Sequence, residues 1–160
     1  MALVLKNPDG TFASKCALCG EVLSRPLFAT VRFITNKGHE FYPFSDAAMH
    51  WSCYVNWPQQ SRFASHYFEA TLARRELMRN QSWKTLFKSP DALVGYVFAE
   101  NEVSVMLRKS GTDIRLHRSR WQAWLEGGWE RECKPELELE AVSAILFRLR
   151  ELELPKLRSN

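Results

Sequence analysis

Four residues of the 160-residue chain have the side chains and the spacing of a metal site. Cys16 and Cys19 form a C-x2-C pair, and after thirty intervening residues His50 and Cys53 form an H-x2-C pair. Two close pairs of soft ligands can each occupy one edge of a tetrahedron. The pattern predicts a Cys3His zinc site. Because the protein supplies all four ligands and leaves no position for water, we expect a structural Zn²⁺.

The segments around the first pair favour this interpretation. Gly20 directly follows Cys19, and a residue without Cβ suits the tight turn of a zinc knuckle. Downstream, the β-branched and aromatic runs 29–34 and 39–42 flank the turn residues 35–38. They predict a β-hairpin that brings the two ligand pairs together.

The second ligand pair is predicted to lie on a helix. Ser45 or Asp46 is a suitable N-cap for a helix over 47–55, which Pro58 would end. His50 and Cys53 are three residues apart and would share one face of that helix.

The order of knuckle, hairpin and helix, with the last two ligands on the helix, resembles a treble-clef zinc finger. Two families share the ligand pattern. LIM-type fingers have C-x2-C followed by H-x2-C and an aromatic residue, which is Tyr54 here. Poly(ADP-ribose) polymerase DNA-break fingers have a long hairpin insert between the pairs, as this chain does. The resemblance covers about residues 12–57; the first family implies protein binding and the second implies DNA binding.

The rest of the chain predicts a second, mixed part. Residues 61–80 have the pattern of an amphipathic helix, with Asn80 as its C-cap. Residues 82–90 are expected to be irregular or to form one helical turn. Strands are expected over 93–98, 103–107 and 113–116, followed by a short helix over 120–126 that two glycines end, and by a long C-terminal helix. We therefore expect an α+β fold, with a treble-clef module at 1–58 and a small antiparallel sheet with packed helices at 59–160.

The net charge of +4 is modest, but its surplus is concentrated between residues 108 and 120. Trp121 and Trp124 follow directly, and basic side chains beside aromatic rings could hold phosphates and stack on bases. The opposing interpretation is that the tryptophans have core spacing and the charges are only solvated. The candidate nucleic-acid contacts are Arg108, Lys109, Arg115, Arg118 and Arg120.

Catalysis finds less support. His39 could be the histidine of a metal-dependent nuclease, but no second metal-ligand set accompanies it, and a polar residue at a hairpin tip is the expected role. Cys133 lies outside the zinc pattern and is expected to be a small buried residue.

The composition limits the remaining classes. At 46% hydrophobic residues the chain can form a packed core, and no apolar run has the length of a membrane span. Three of four cysteines belong to the metal pattern, which favours a reducing, cytoplasmic location over a disulfide framework. The sequence predicts a protein that acts by binding and is not an enzyme. Nucleic acid is the leading partner, and a protein partner is the alternative.

Overall fold

The computed structural model describes residues 4–77 and 82–156, and this part of the chain combines helices with two antiparallel sheets. The expected mixture of helix and antiparallel sheet is confirmed. The chain divides into two compact units, Met1–Phe63 and Ala64–Asn160. Among the described helices, none combines the length and the apolar character needed to cross a membrane. The expected C-cap Asn80 lies outside the described residues.

The first unit contains a two-stranded sheet and short helical segments. In chain order its elements are β1 (Leu27–Ala29), a 3-10 turn (Tyr42–Phe44), β2 (Ala48–His50), α1 (Trp51–Val55) and the beginning of α2 (Gln60–Leu77). The strands are antiparallel, with Leu27 opposite His50 and Ala29 opposite Ala48. This pairing brings the two ends of residues 30–47 together, so the segment between the strands forms a closed loop.

The hairpin predicted over 29–34 and 39–42 is wrong. In place of the expected strand ladder, two side-chain hydroxyl groups hold this segment through hydrogen bonds. The Ser45 Oγ accepts the backbone N–H groups of Phe33 at 2.9 Å and Ile34 at 3.0 Å, and the Thr30 hydroxyl donates to the Phe44 carbonyl at 2.9 Å. Such side-chain bonds satisfy backbone groups that would otherwise pair in a sheet.

The predicted start of the ligand helix is also wrong. Residues Ala48–His50 form β2, and α1 begins only at Trp51, with His50 as its N-cap. Ser45 cannot cap this helix, because its hydroxyl is occupied by the amides of Phe33 and Ile34. Pairing with β1 therefore overrides the helical pattern of the sequence here.

Aromatic side chains, among them the buried Trp51 and Tyr54, form the core of the first unit. Phe28 stacks on Tyr54 with ring centroids 4.1 Å apart. Phe63, which is fully buried, forms edge-on or tilted contacts with six other rings, those of Phe28, Phe33, Phe41, Phe44, Tyr54 and Trp57. Rings from β1, from residues 30–47 and from α1 thus pack around Phe63.

The second unit contains a four-stranded antiparallel meander and helices. Its further elements are β3 (Trp83–Lys88), β4 (Ala92–Val97), β5 (Glu102–Leu107), β6 (Asp113–His117), α3 (Trp121–Ala123), a π-type turn (Trp124–Gly128), α4 (Trp129–Glu132) and α5 (Leu137–Arg150). The last three strands and the C-terminal helix confirm the predictions. β3, which was expected to be irregular, is an edge strand. The glycine pair kinks the helical segment at Gly127, where φ is 140°, and does not end it.

Both faces of the meander are covered within the second unit. On one face Tyr96 and Val105 pack with Trp124 and Val142, and on the other Leu93 packs against side chains that include Phe68 of α2. The interpretation of Trp121 and Trp124 as core residues is confirmed, since both are buried and their rings stack. Strand β4 is consequently buried along its whole length.

Gly95 in the middle of β4 makes room for an indole ring. A Cβ at this position would lie 2.0 Å from Cζ2 of Trp83, a buried side chain of β3. The guanidinium of Arg75 stacks over the same ring, 4.5 Å from its centroid. The ring therefore lies against the backbone of β4 at Gly95, where any larger residue would overlap it.

We expect Gly95→Ala to lower the free energy of unfolding by about 1–3 kcal/mol or more, because the new methyl group overpacks against Trp83. Chemical denaturation of the purified variants measures this. Gly38→Ala is the matched control, since its Cβ would meet only Asn36 Oδ1 at 3.4 Å. In a Trp83→Phe background the Gly95→Ala cost should shrink; an unchanged cost would exclude the ring as its cause.

Candidate metal centre

The four predicted ligands converge in the first unit. Their nearest ligand atoms, three sulfurs and one imidazole nitrogen, all lie within 4.8 Å of one another. Nδ1 of His50 is 3.4 Å from the Cys19 Sγ and 3.7 Å from the Cys53 Sγ. Among the residues that the structure describes, this is the cluster of His, Cys, Asp and Glu side chains that could hold a metal ion.

The first pair is positioned by a tight turn. The Gly20 amide donates to the Cys16 carbonyl at 2.9 Å, and the Cys16 amide donates to the Glu21 carbonyl at 2.8 Å. Gly20 has φ of 78°, the left-handed conformation that glycine adopts without strain. The knuckle turn expected from Cys16-x2-Cys19-Gly20 is therefore present, and it places both sulfurs on the same side.

Strand β2 delivers the second pair to this turn. The Ala17 amide donates to the Ala48 carbonyl at 2.9 Å, which fastens the turn to β2. His50, two residues after Ala48, donates its backbone N–H to the Cys16 Sγ at 3.3 Å. Cys53 follows in the first turn of α1, so its sulfur is directed to the same point.

The imidazole of His50 is oriented by a backbone carbonyl. Nε2 lies 3.0 Å from the carbonyl oxygen of Val22, and this oxygen can only accept a hydrogen bond. Nε2 therefore carries the proton, and the lone pair of Nδ1 is directed at the cysteines. Metal-binding histidines are commonly fixed in this way through the ring nitrogen that does not bind the ion.

The electrostatics of the three thiols favour a cation among them. Burial acts to raise the pKa of the Cys16 thiol, but hydrogen bonds from the backbone amides of Cys19, His50 and Leu18 outweigh it and lower the pKa to about 7. Burial and the nearby Cys19 and Cys16 side chains raise the pKa of Cys53 to about 11. The sulfurs thus resist ionising together, and a metal ion would remove this resistance.

The basic residues between 108 and 120 have partners within the second unit. Four of them pair with carboxylates: Arg108 with Glu69, Lys109 with Glu140, Arg115 with Asp113 and Glu102, and Arg120 with Glu132. Arg118 hydrogen-bonds the Pro155 carbonyl and the Tyr96 hydroxyl. A phosphate would have to compete with these bonds, although exposed pairs of this kind are weak.

Arg108 is the most firmly held of the five. Its guanidinium donates to Ser65 Oγ at 2.9 Å and also bonds Glu69 and the Pro90 carbonyl. It lies over the ring of Phe68, 4.5 Å from the centroid. These contacts join α2 to the meander, so Arg108 has a structural role in the second unit.

Neither His39 nor Cys133 belongs to the cluster of four candidate ligands. His39 lies in a turn, where its Nδ1 accepts the Phe41 amide at 3.1 Å. Cys133 is buried in the core of the second unit, as expected. Burial, followed by the Glu138 carboxylate, raises the pKa of its thiol to about 12, which keeps it protonated at neutral pH.

The sequence did not point to Val22 as part of the site. The residue contributes only a backbone carbonyl, which every amino acid has, so no side-chain pattern could identify it. The relevant signal is its position opposite Lys15 in an isolated antiparallel bridge, and this pairing depends on the length of the knuckle turn.

Comparison with known proteins adds no information about the site. No protein-family model matches the chain, and the searches of curated proteins and of solved structures likewise find no match.

We expect one Co²⁺ ion per chain to bind the metal-free protein and to produce the strong visible absorption of tetrahedral cobalt thiolates. His50→Ala should weaken this binding markedly, since it removes the nitrogen ligand and the Val22 contact together. Cys133→Ser is the matched control and should titrate like the parent protein. Equal titration of all three proteins would contradict the assigned ligands.

Proposed function

We propose that the protein is a zinc-binding protein that acts by binding and has no catalytic site of its own. The observation that carries the proposal is the cluster of Cys16, Cys19, His50 and Cys53, within 4.8 Å of one another. Four protein ligands complete a tetrahedron and leave no coordination position for a reacting water. The ion would then stabilise the first unit, and the function would belong to the surface that this unit presents.

The ligand set fits zinc better than the harder divalent ions. Thiolate and imidazole ligands in a tetrahedral arrangement select zinc, whereas calcium and magnesium require oxygen ligands. With bonds of about 2.3 Å to sulfur and 2.1 Å to nitrogen, a tetrahedral ion holds these atoms about 3.5 Å apart. The two sulfur-to-nitrogen distances, 3.4 and 3.7 Å, lie on either side of that value.

We further propose that the first unit is a treble-clef finger with a displaced hairpin. The knuckle turn and the helix α1 are in the expected order around the ligands. The pair β1 and β2 would take the place of the hairpin, with residues 30–47 as a long insert between them. This arrangement supports the resemblance to fingers with long inserts, and it differs from them in how the insert is fastened.

Nucleic acid is the partner that we propose first, with the finger as the main contact surface. Lys15 and Arg25 lie on either side of the knuckle, and Lys37 lies in the insert. In the part of the chain that the structure describes, these three side chains have no carboxylate partner, unlike Arg108, Lys109, Arg115 and Arg120. Free cations bind phosphate without first breaking an internal pair.

A protein partner is the second candidate, and two exposed apolar side chains of the first unit favour it. Leu5 and Val22 are 53% and 54% exposed. Val22 pairs with Lys15 through an isolated antiparallel bridge, and its carbonyl lies against the His50 imidazole. Exposed apolar side chains of this size are candidates for a surface that another molecule covers.

Removing zinc should unfold the first unit. Zinc binding stabilises small fingers by about 10 kcal/mol, so chelation should abolish its cooperative melting and expose the tryptophans near α1. Thermal melting followed by tryptophan fluorescence, with and without a strong chelator, measures this. A melting curve that chelation leaves unchanged would exclude a structural role for the ion.

For nucleic-acid binding we expect affinity for short labelled DNA or RNA that falls steeply as salt rises, measured by fluorescence anisotropy. The Lys15→Gln, Arg25→Gln double variant should bind about tenfold or more weakly, because it removes two phosphate contacts. Arg115→Gln, Arg120→Gln is the matched control, since it removes two cations that already have carboxylate partners.

The outcomes separate the candidates. A larger loss in the control variant would assign the contact to residues 108–120 and contradict the finger surface. Absence of binding at low salt to duplex and to single-stranded probes would overturn the nucleic-acid proposal and leave the exposed side chains of Leu5 and Val22 as the basis for a protein partner.

A further inference from the structure

The three cysteine sulfurs of the metal centre differ in their access to solvent. Cys16 is 2% exposed, Cys53 is half-buried, and Cys19 is exposed. A small solute that approaches the centre from solvent therefore meets the Cys19 Sγ first. The reactivity of cysteines follows their exposure as well as their thiolate character.

The sulfurs also differ in their hydrogen bonds. The Cys16 Sγ accepts backbone N–H groups, including that of His50 at 3.3 Å. Hydrogen bonds of this kind stabilise the negative charge of a thiolate and make it a weaker nucleophile. Within the described residues no backbone amide donates to the Cys19 Sγ, whose contacts are with Nδ1 of His50 and with the Cys16 and Cys53 side chains.

We infer that the metal centre is a thiol switch in which Cys19 reacts with a peroxide and then forms a disulfide with Cys53, releasing the ion. The inference rests on the proposed zinc site. The pairing with Cys53 follows from access, because Cys53 is the other cysteine of the centre that is not buried, and its ligand atom lies within 4.8 Å of that of Cys19.

The chemical step is balanced by a peroxide such as H₂O₂. The Cys19 thiolate attacks one peroxide oxygen, the O–O bond breaks, hydroxide leaves, and Cys19 becomes a sulfenic acid. The Cys53 thiolate then attacks the Cys19 sulfur, the S–S bond forms and a second hydroxide leaves. Two thiolates lose two electrons and the peroxide gains two; the hydroxides take protons from solvent and become water.

Disulfide formation would dismantle the site. The centre would keep only Cys16 and His50, and two ligands hold zinc much less tightly than four. His50 would no longer be fixed from the metal side, so its bond to the Val22 carbonyl would lose support. The exposed surface at Lys15 and Val22 would then lose the constraint that orders it, which would weaken partner binding.

The test uses the full-length, zinc-loaded protein and starts with its zinc content. H₂O₂ is then added, and released zinc is followed with a chromogenic chelator while intact mass and peptide mapping locate the modification. We expect zinc release to accompany loss of two hydrogens, with a Cys19–Cys53 disulfide. In a separate pulse, N-ethylmaleimide should label Cys19 before the other cysteines.

Two variants sharpen the result. Cys19→His keeps four ligands but removes the exposed sulfur, so zinc release by H₂O₂ should slow about tenfold or more. Cys133→Ser is the matched control and should release zinc at the parent rate, since this thiol is buried outside the centre.

The failures are distinguishable. A protein that carries no zinc overturns the proposed metal site. A zinc-loaded protein that keeps its zinc in peroxide, or in which Cys16 or Cys133 is modified first, overturns the switch alone. Peptide mapping of the parent protein decides this even where Cys19→His fails to bind zinc.

Discussion

The fastening of the knuckle turn to strand β2 is the constraint on which the first unit depends. One bond, from the Ala17 amide to the Ala48 carbonyl, aligns the two segments. Two more, from His50 to the Cys16 sulfur and to the Val22 carbonyl, fix the histidine in direction and tautomer. Cys16 and His50 are therefore each supported by a backbone group of the opposite segment, and the four candidate ligands converge because the chain pairs with itself there.

The ligand set was predictable from the sequence, but the elements that carry it were only partly so. Cysteine and histidine have few common roles at these spacings. At position 20 the backbone has a positive φ, a conformation that favours glycine. The error concerned residues 29–50, where β-branched residues predicted a hairpin and Ala48–His50 were assigned to a helix. The hydroxyls of Thr30 and Ser45 decide this region, and a serine or threonine in a sequence does not reveal which amide its oxygen will meet.

In the second unit the buried strands β4 and β5 were recognisable, because a short, continuous apolar run between turn residues is typical of a strand that is covered on both faces. Strand β3 was missed since Trp83–Lys88 alternates polar and apolar residues only partly and has a bulge between Thr85 and Phe87. The basic run at 108–120 is conspicuous in the sequence. Its carboxylate partners lie up to 39 residues away along the chain, so their pairing could not be seen before the fold was known.

The way in which residues 30–47 are attached bears on how this protein could vary. A strand ladder transmits any insertion along its register, because one added residue turns every following side chain to the opposite face. Hydroxyl contacts at Thr30 and Ser45 set no such register, and the pairing of β1 with β2 closes the loop next to the ligands. Insertions or deletions in the chain between Thr30 and Ser45 would therefore leave the distances between the four candidate ligands unchanged. The insert is a region where new binding specificity could evolve, or be grafted, without rebuilding the metal centre.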